Sequence, residues 1–133
     1  MSDAVTVTRQ VELDTTTDEL WSLVSDGERW AEWLVDAGSV DVTPGADGVV
    51  IDDGERRDVR VHSVEHGRRV TFEWWTDDER SQVELELVPA GERTGLRITE
   101  TFACGGRAAA RASAAWDVRL LVLCLGSAAL ART

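Results

Sequence analysis

Near the start of the chain, apolar residues recur at every second position. Val5, Val7, Val11 and Leu13 alternate with Thr6, Thr8, Gln10 and Glu12. A period of two predicts a half-buried strand, and the same alternation places Arg9 on its apolar face. "TTTDELW" follows, with Thr16 and Glu19 at capping-box spacing, so a helix starts there and buries Leu20, Trp21 and Val24. Beyond a break at Asp26-Gly27, Trp30, Trp33 and Leu34 lie at i, i+3 and i+4, which predicts a second short helix.

From Gly38 the period returns to two. Val40 and Val42 predict a short strand closed by Pro44-Gly45. Strands over 49–51 and 59–64 flank "DDGE", whose Asp53-Gly54 pair favours a tight hairpin. The next strand, over 70–75, sets Val70, Phe72 and Trp74 on one face and Glu73 and Trp75 on the other. Val83, Leu85 and Leu87 then alternate with Glu84 and Glu86 up to Pro89, and "AGERTG" turns the chain into "LRITETF". In that last strand Leu96, Ile98 and Phe102 share a face with Glu100, so a carboxylate is aimed at the core. After Gly105-Gly106 the pattern becomes helical, with Trp116, Leu120, Leu123, Ser127 and Leu130 on one stripe and alanines dominating the first half.

The order is strand, two short helices, about six further strands and one long helix. Consecutive hairpins predict a curved antiparallel sheet of about six or seven strands, and its apolar face needs a cover. The terminal helix supplies it. The fold class is α+β, and 133 residues suit a single domain spanning 1–133.

Composition narrows the function. The formal net charge of −11 opposes nucleic-acid binding, which depends on neutralising phosphates, and opposes docking on anionic membranes. The apolar run "LLVLCLGSAALA" is too short to span a bilayer, and "MSDAVTVTRQ" lacks a signal-peptide pattern, so the expected location is cytoplasmic. Cys104 and Cys124 fit neither a disulfide framework nor a metal motif. His62 and His66 fall on a polar strand face and in the turn "EHGR". No metal site, cofactor or nucleophile motif is expected.

Four segments resemble one family: "TTTDELWSLVSDGERWAEWL", "VEHGRRVTFEWW", "VELELVPAGERTGLRITETF" and "AAWDVRLLVLCL". They are similar to the heat-shock-protein-ninety ATPase activator (Aha-type) family within the START-like (SRPBCC, helix-grip) superfamily. Trp21, Trp33, Trp74, Trp116, Leu120 and Leu123 sit where that pattern expects them. Ala115 replaces a glycine that often precedes the helical tryptophan, and the run between the early strands is shortened to "VTPGADG". The resemblance implies a long helix gripped by the sheet, with first and last strands adjacent.

That adjacency brings Arg9 towards Glu100. Three readings stand open: an ion pair lining a cavity, an internal salt bridge without a ligand, or a bulge that exposes Glu100. In the first, the walls come from Trp33, Phe72, Trp74, Leu85, Leu87, Ile98, Trp116 and Leu120. The expected function is binding of a small hydrophobic or amphipathic molecule beneath the terminal helix. The alternatives are a polyketide cyclase/dehydratase- or aromatase-like enzyme with Glu100 as acid–base residue, and a protein-interaction module of the chaperone-activator kind. Leu121, Cys124 and Leu125 lie off the main helical stripe, an apolar surplus that also allows a homodimer.

Overall fold

The computed structural model describes residues 5–77, 79–102 and 106–131. Strand β1 (Val5–Leu13) is followed by α1 (Thr17–Ser25) and a 3-10 segment (Gly27–Glu32). Then come β2 (Ala37–Ser39), β3 (Asp47–Asp52), β4 (Glu55–Glu65), β5 (Arg69–Trp75), β6 (Arg80–Ala90), β7 (Arg93–Phe102) and the helix α2 (Gly106–Ala131). The seven strands form one antiparallel sheet in the order β1-β7-β6-β5-β4-β3-β2. From β2 to β7 it is a meander, and β1 closes onto β7 as the fold requires.

Local chemistry accounts for the elements. The Thr16 hydroxyl accepts from the Glu19 backbone N–H at 3.2 Å and caps α1, while Asp26 caps the 3-10 segment through the Glu28 N–H at 3.0 Å. Asp53 and Gly54 both adopt positive φ (53° and 75°), the left-handed pair that a two-residue hairpin between β3 and β4 needs. Gly27 is required for a different reason: a Cβ there would stand 1.6 Å from the Val40 carbonyl oxygen.

One expectation is corrected. The short strand expected at Val40 and Val42 lies earlier, at Ala37–Ser39. Thr43 donates its N–H to the Asp41 carbonyl at 2.9 Å and its hydroxyl to the Asp41 carboxylate at 2.9 Å, a local turn that takes this backbone off the ladder. The second short helix is there as expected, as the 3-10 segment, with Trp33 as its C-cap. A register shift between Val61 and Ser63 makes a bulge, and it returns Val64 to the inner side of β4 beyond the exposed His62.

The core lies between the concave sheet face, α1, the 3-10 segment and α2. Trp30, Phe72, Trp74 and Trp116 form its spine, with successive ring centroids 4.9, 5.4 and 6.3 Å apart. All four are at most 1% exposed. Cys104 falls outside the described residues, as do the side chains of Leu125, Ser127 and Leu130.

Candidate functional site

Alternation along β7 does carry Glu100 inward, where it is 1% exposed. Its cross-strand partners are Val7 on β1 and Val83 on β6. The carboxylate takes hydrogen bonds from neutral donors on three elements. The Trp74 indole N–H on β5 donates to Oε2 at 2.8 Å, and the Trp116 indole N–H on α2 donates to Oε1 at 2.8 Å. The Ser81 hydroxyl on β6 also donates to Oε2, and the Trp74 N–H is shared with Ser81 Oγ at 3.0 Å.

Arg9 is not its partner. The structure corrects that pairing: Arg9 stands opposite Ile98, two positions along β1 from the level of Glu100. Its guanidinium turns to α2, where Nε donates to Asp117 at 3.0 Å and an Nη bonds the Ser113 hydroxyl. The side chain is about one-third exposed, so this long, flexible cation leaves the apolar face for the solvent edge.

Two arginines, Arg57 and Arg119, lie over the tryptophan rings that hold Glu100, and the sequence reading singled out neither. Arg57 lies on the inner face of β4, opposite Val50 of β3, with its guanidinium carbon 4.7 Å from the Trp74 ring centroid. Arg119, on the buried side of α2, lies 5.3 Å from the Trp74 centroid and 4.6 Å from that of Trp116. It is ion-paired with Asp52 at the end of β3, with both side chains largely buried. Both arginines were within reach of pattern reasoning. Arg57 shares the parity of Val59 and Val61, and Arg119 lies three residues after Trp116, on the same helical face.

These residues surround a cleft of about 130 Å³ between the β3–β4 hairpin and α2, with Glu100, Trp74, Arg57, Phe102, Ala115 and Arg119 in its lining. A second opening of about 460 Å³ runs along α2, past Trp33, Leu34, Val35, Val118 and Val122. Asp52, Asp53, Ala115 and Arg119 belong to both, so the Asp52–Arg119 pair stands at the partition. A third groove of about 360 Å³ lies between α1 and Leu123.

The expected pocket wall is thus divided. Trp74 and Glu100 line the cleft and Trp33 lines the neighbouring groove. Phe72, Leu85, Leu87, Ile98, Trp116 and Leu120 are packed into the core and line none of these three openings. The aromatic spine fills the space beneath α2 that the sequence reading left hollow. Among the described residues no three His, Cys, Asp or Glu side chains gather to hold a metal ion, and no helix is long and apolar enough to cross a membrane.

The model of the family "Activator of Hsp90 ATPase homolog 1-like protein" matches residues 14–121. The chain belongs to that family. Among solved structures, protein MLL2253 from Mesorhizobium loti superposes with a TM-score of 0.86 at 23% identity, covering 97% of this chain and 98% of that one. CalU16 from Micromonospora echinospora gives 0.78 at 23% identity, over 90% of this chain and 74% of its own. DynU16, a protein of the dynemicin biosynthetic locus, gives 0.75 at 29% identity over 90% of this chain, which spans 45% of the DynU16 length. No curated protein shows significant similarity to the sequence.

Proposed function

We propose that this member of the activator-homologue family binds a small amphipathic molecule where the sheet opens beside α2. One observation carries the reading. A cleft with a polar floor, built on Glu100 and Arg57, adjoins a groove walled by Trp33, Val118 and Val122, and the two share four lining residues. A few placed polar groups beside apolar surface is the usual make-up of a small-ligand site. The polar head would enter the cleft and the apolar body would lie along α2. The locus in which DynU16 is found, dynemicin biosynthesis, favours a biosynthetic small molecule as the class.

Glu100 serves in this reading as a fixed acceptor. Three donors take three of its roughly four acceptor positions, so one remains for a ligand hydroxyl. That remaining position is also what favours a second, cyclase-like reading with Glu100 as acid–base residue. Glu100→Gln separates the two: loss of turnover with affinity largely kept supports the enzyme, and equal turnover excludes it.

Native mass spectrometry of protein isolated from its own cells, followed by denaturing extraction, tests the binding proposal. A stoichiometric small-molecule adduct supports it. Protein that arrives empty and leaves its tryptophan fluorescence unchanged on titration with 1-anilinonaphthalene-8-sulfonate overturns it. The weight then passes to a protein-interaction role, with Val118, Leu121 and Val122 as the exposed apolar surface. The same surface supports a homodimer, the state in which the Colwellia psychrerythraea Aha1 was solved.

A further inference from the structure

Eight charged side chains line the cleft and five are engaged, with Asp53 and Glu55 exposed on the hairpin. Asp52 pairs with Arg119, Glu79 with Arg111, and Glu100 with its three neutral donors. Among the cations of the cleft Arg57 is the exception. Its Nε is buried and has no hydrogen-bond partner, and its side chain makes no ion pair among the described residues. Arg93, also without an ion pair, lies exposed at a turn, where water satisfies it. Arg57 differs at its Nε, which is closed off from water beside the Trp74 ring. The guanidinium is held by the Trp74 π-face at 4.7 Å, an attraction that leaves its N–H edge uncommitted.

An uncommitted guanidinium edge is a fork for two oxygens of one planar anion. We infer that Arg57 is the anchor for a carboxylate on the ligand, the acid group lying in the 130 Å³ cleft against the Arg57 fork and the Trp74 ring. The inference rests on the binding role proposed above and names the chemistry of its polar head. Charge and size select a monocarboxylate over a phosphate. Asp53 and Glu55 line the same cleft from the exposed hairpin, and their field opposes a dianion more than a monoanion. A dry cavity of about 150 Å³ takes one benzene, so this cleft holds the acid group and a few attached carbons, and the remainder extends into the α2 groove.

The test uses the full chain and two probes of equal shape, 2-naphthoate and 2-naphthamide, titrated by ligand-observed NMR. A hydrogen bond to a charged group shifts an equilibrium roughly ten- to a hundredfold, so wild type should prefer the acid by at least about tenfold. Arg57→Gln should bring the two within about twofold, by lowering acid affinity more than amide affinity. Arg57→Lys keeps the charge without the fork and should retain part of the preference, which serves if the glutamine variant does not fold. Equal affinities in wild type overturn the carboxylate assignment and leave amphipathic binding in place. A preference that survives in Arg57→Gln overturns it too, because the acid is then held elsewhere. Binding of neither probe overturns both proposals, provided that 1-anilinonaphthalene-8-sulfonate also fails to bind; if the sulfonate binds, the carboxylate assignment alone falls.

Discussion

Replacing Glu100 by glutamine changes one atom of the buried acceptor and exposes how it is held. A glutamine can keep its carbonyl at the Oε2 position, retaining the Trp74 and Ser81 bonds, only by turning its NH₂ towards the Trp116 indole N–H. Two donors then face each other out of water. The opposite flip keeps the Trp116 bond and lets the Ser81 oxygen accept from the NH₂, but sets that NH₂ against the Trp74 N–H. An unsatisfied buried donor costs about 1–3 kcal/mol, and the two retained bonds lose their charge assistance. Relief from burying a carboxylate without a cationic partner in contact offsets part of this. The expected net loss is about 2 kcal/mol, worth roughly 6–10 °C in Tm for a domain of this length.

A double-mutant cycle with Trp116→Phe isolates the reason. Phenylalanine removes the indole N–H, so the donor–donor conflict disappears and Glu100→Gln should cost about 1–2 kcal/mol less in that background. Urea unfolding followed by far-UV circular dichroism suits the cycle, since it does not rely on the tryptophan being removed. Costs that add to within about 0.5 kcal/mol would refute a stabilising Glu100–Trp116 bond. A Glu100→Gln protein more stable than wild type would refute the premise that the three donors outweigh desolvation.

Asp52→Asn should cost about 2 kcal/mol, between the values for exposed and fully buried pairs, with amide exchange in α2 accelerating because the Arg119 tether to β3 is lost. Gly27→Ala should cost more than about 3 kcal/mol, since its methyl meets Val40 backbone rather than a side chain that can turn away; a Tm within a few degrees of wild type would contradict this. The Arg60 hydrogen bond holds the Asp47 carboxyl below its usual range, so this pair stabilises the hairpin above the ordinary aspartate pKa and its contribution fades as pH falls through the lowered value. A carbon-13 titration in which the Asp47 carboxyl midpoint does not fall below a free aspartate's would refute it. Leu121 is 60% exposed, and if α2 forms a dimer seam, Leu121→Glu should convert the protein to monomer in light scattering without lowering Tm under conditions where the wild type is monomeric.

Period-two and helical patterning located six of the seven strands and the terminal helix because each of those strands has one wet face and one drier face. Glu100 was legible for that reason: Leu96, Ile98 and Phe102 fix the face, and the carboxylate must share it. Its partners were not legible, since alternation gives a direction and not a distance. Arg9 points inward as its parity demands, yet a side chain of that reach follows the nearest acid, and Asp117 lies on a helix whose placement the strand pattern does not specify. Val40 failed in the opposite way. Its burial was evident, but an apolar residue packed on Gly48 is equally compatible with strand and with loop, and the Asp41–Thr43 turn decided it.

The tryptophans join these two levels. Four of the six place their indole N–H on buried or half-buried acceptors: Trp30 on the Val24 carbonyl at 2.9 Å, Trp33 on the Leu23 carbonyl at 3.3 Å, and Trp74 and Trp116 on Glu100. They fill the groove of the sheet and supply its polar satisfaction together, something phenylalanine cannot do. Ring contacts from Trp30 to Trp116, one tilted, one edge-on and one stacked, fill the core beneath the middle of α2. Beside the hairpin, where the spine ends, space opens and the lining changes from apolar to charged. In the binding role proposed above, the ligand is recognised at that boundary. Its polar group matters more than in a sealed apolar cavity, and Trp74→Phe, which keeps the ring but loses the donor to Glu100, should disturb binding more than Trp30→Phe even if both cost similar stability.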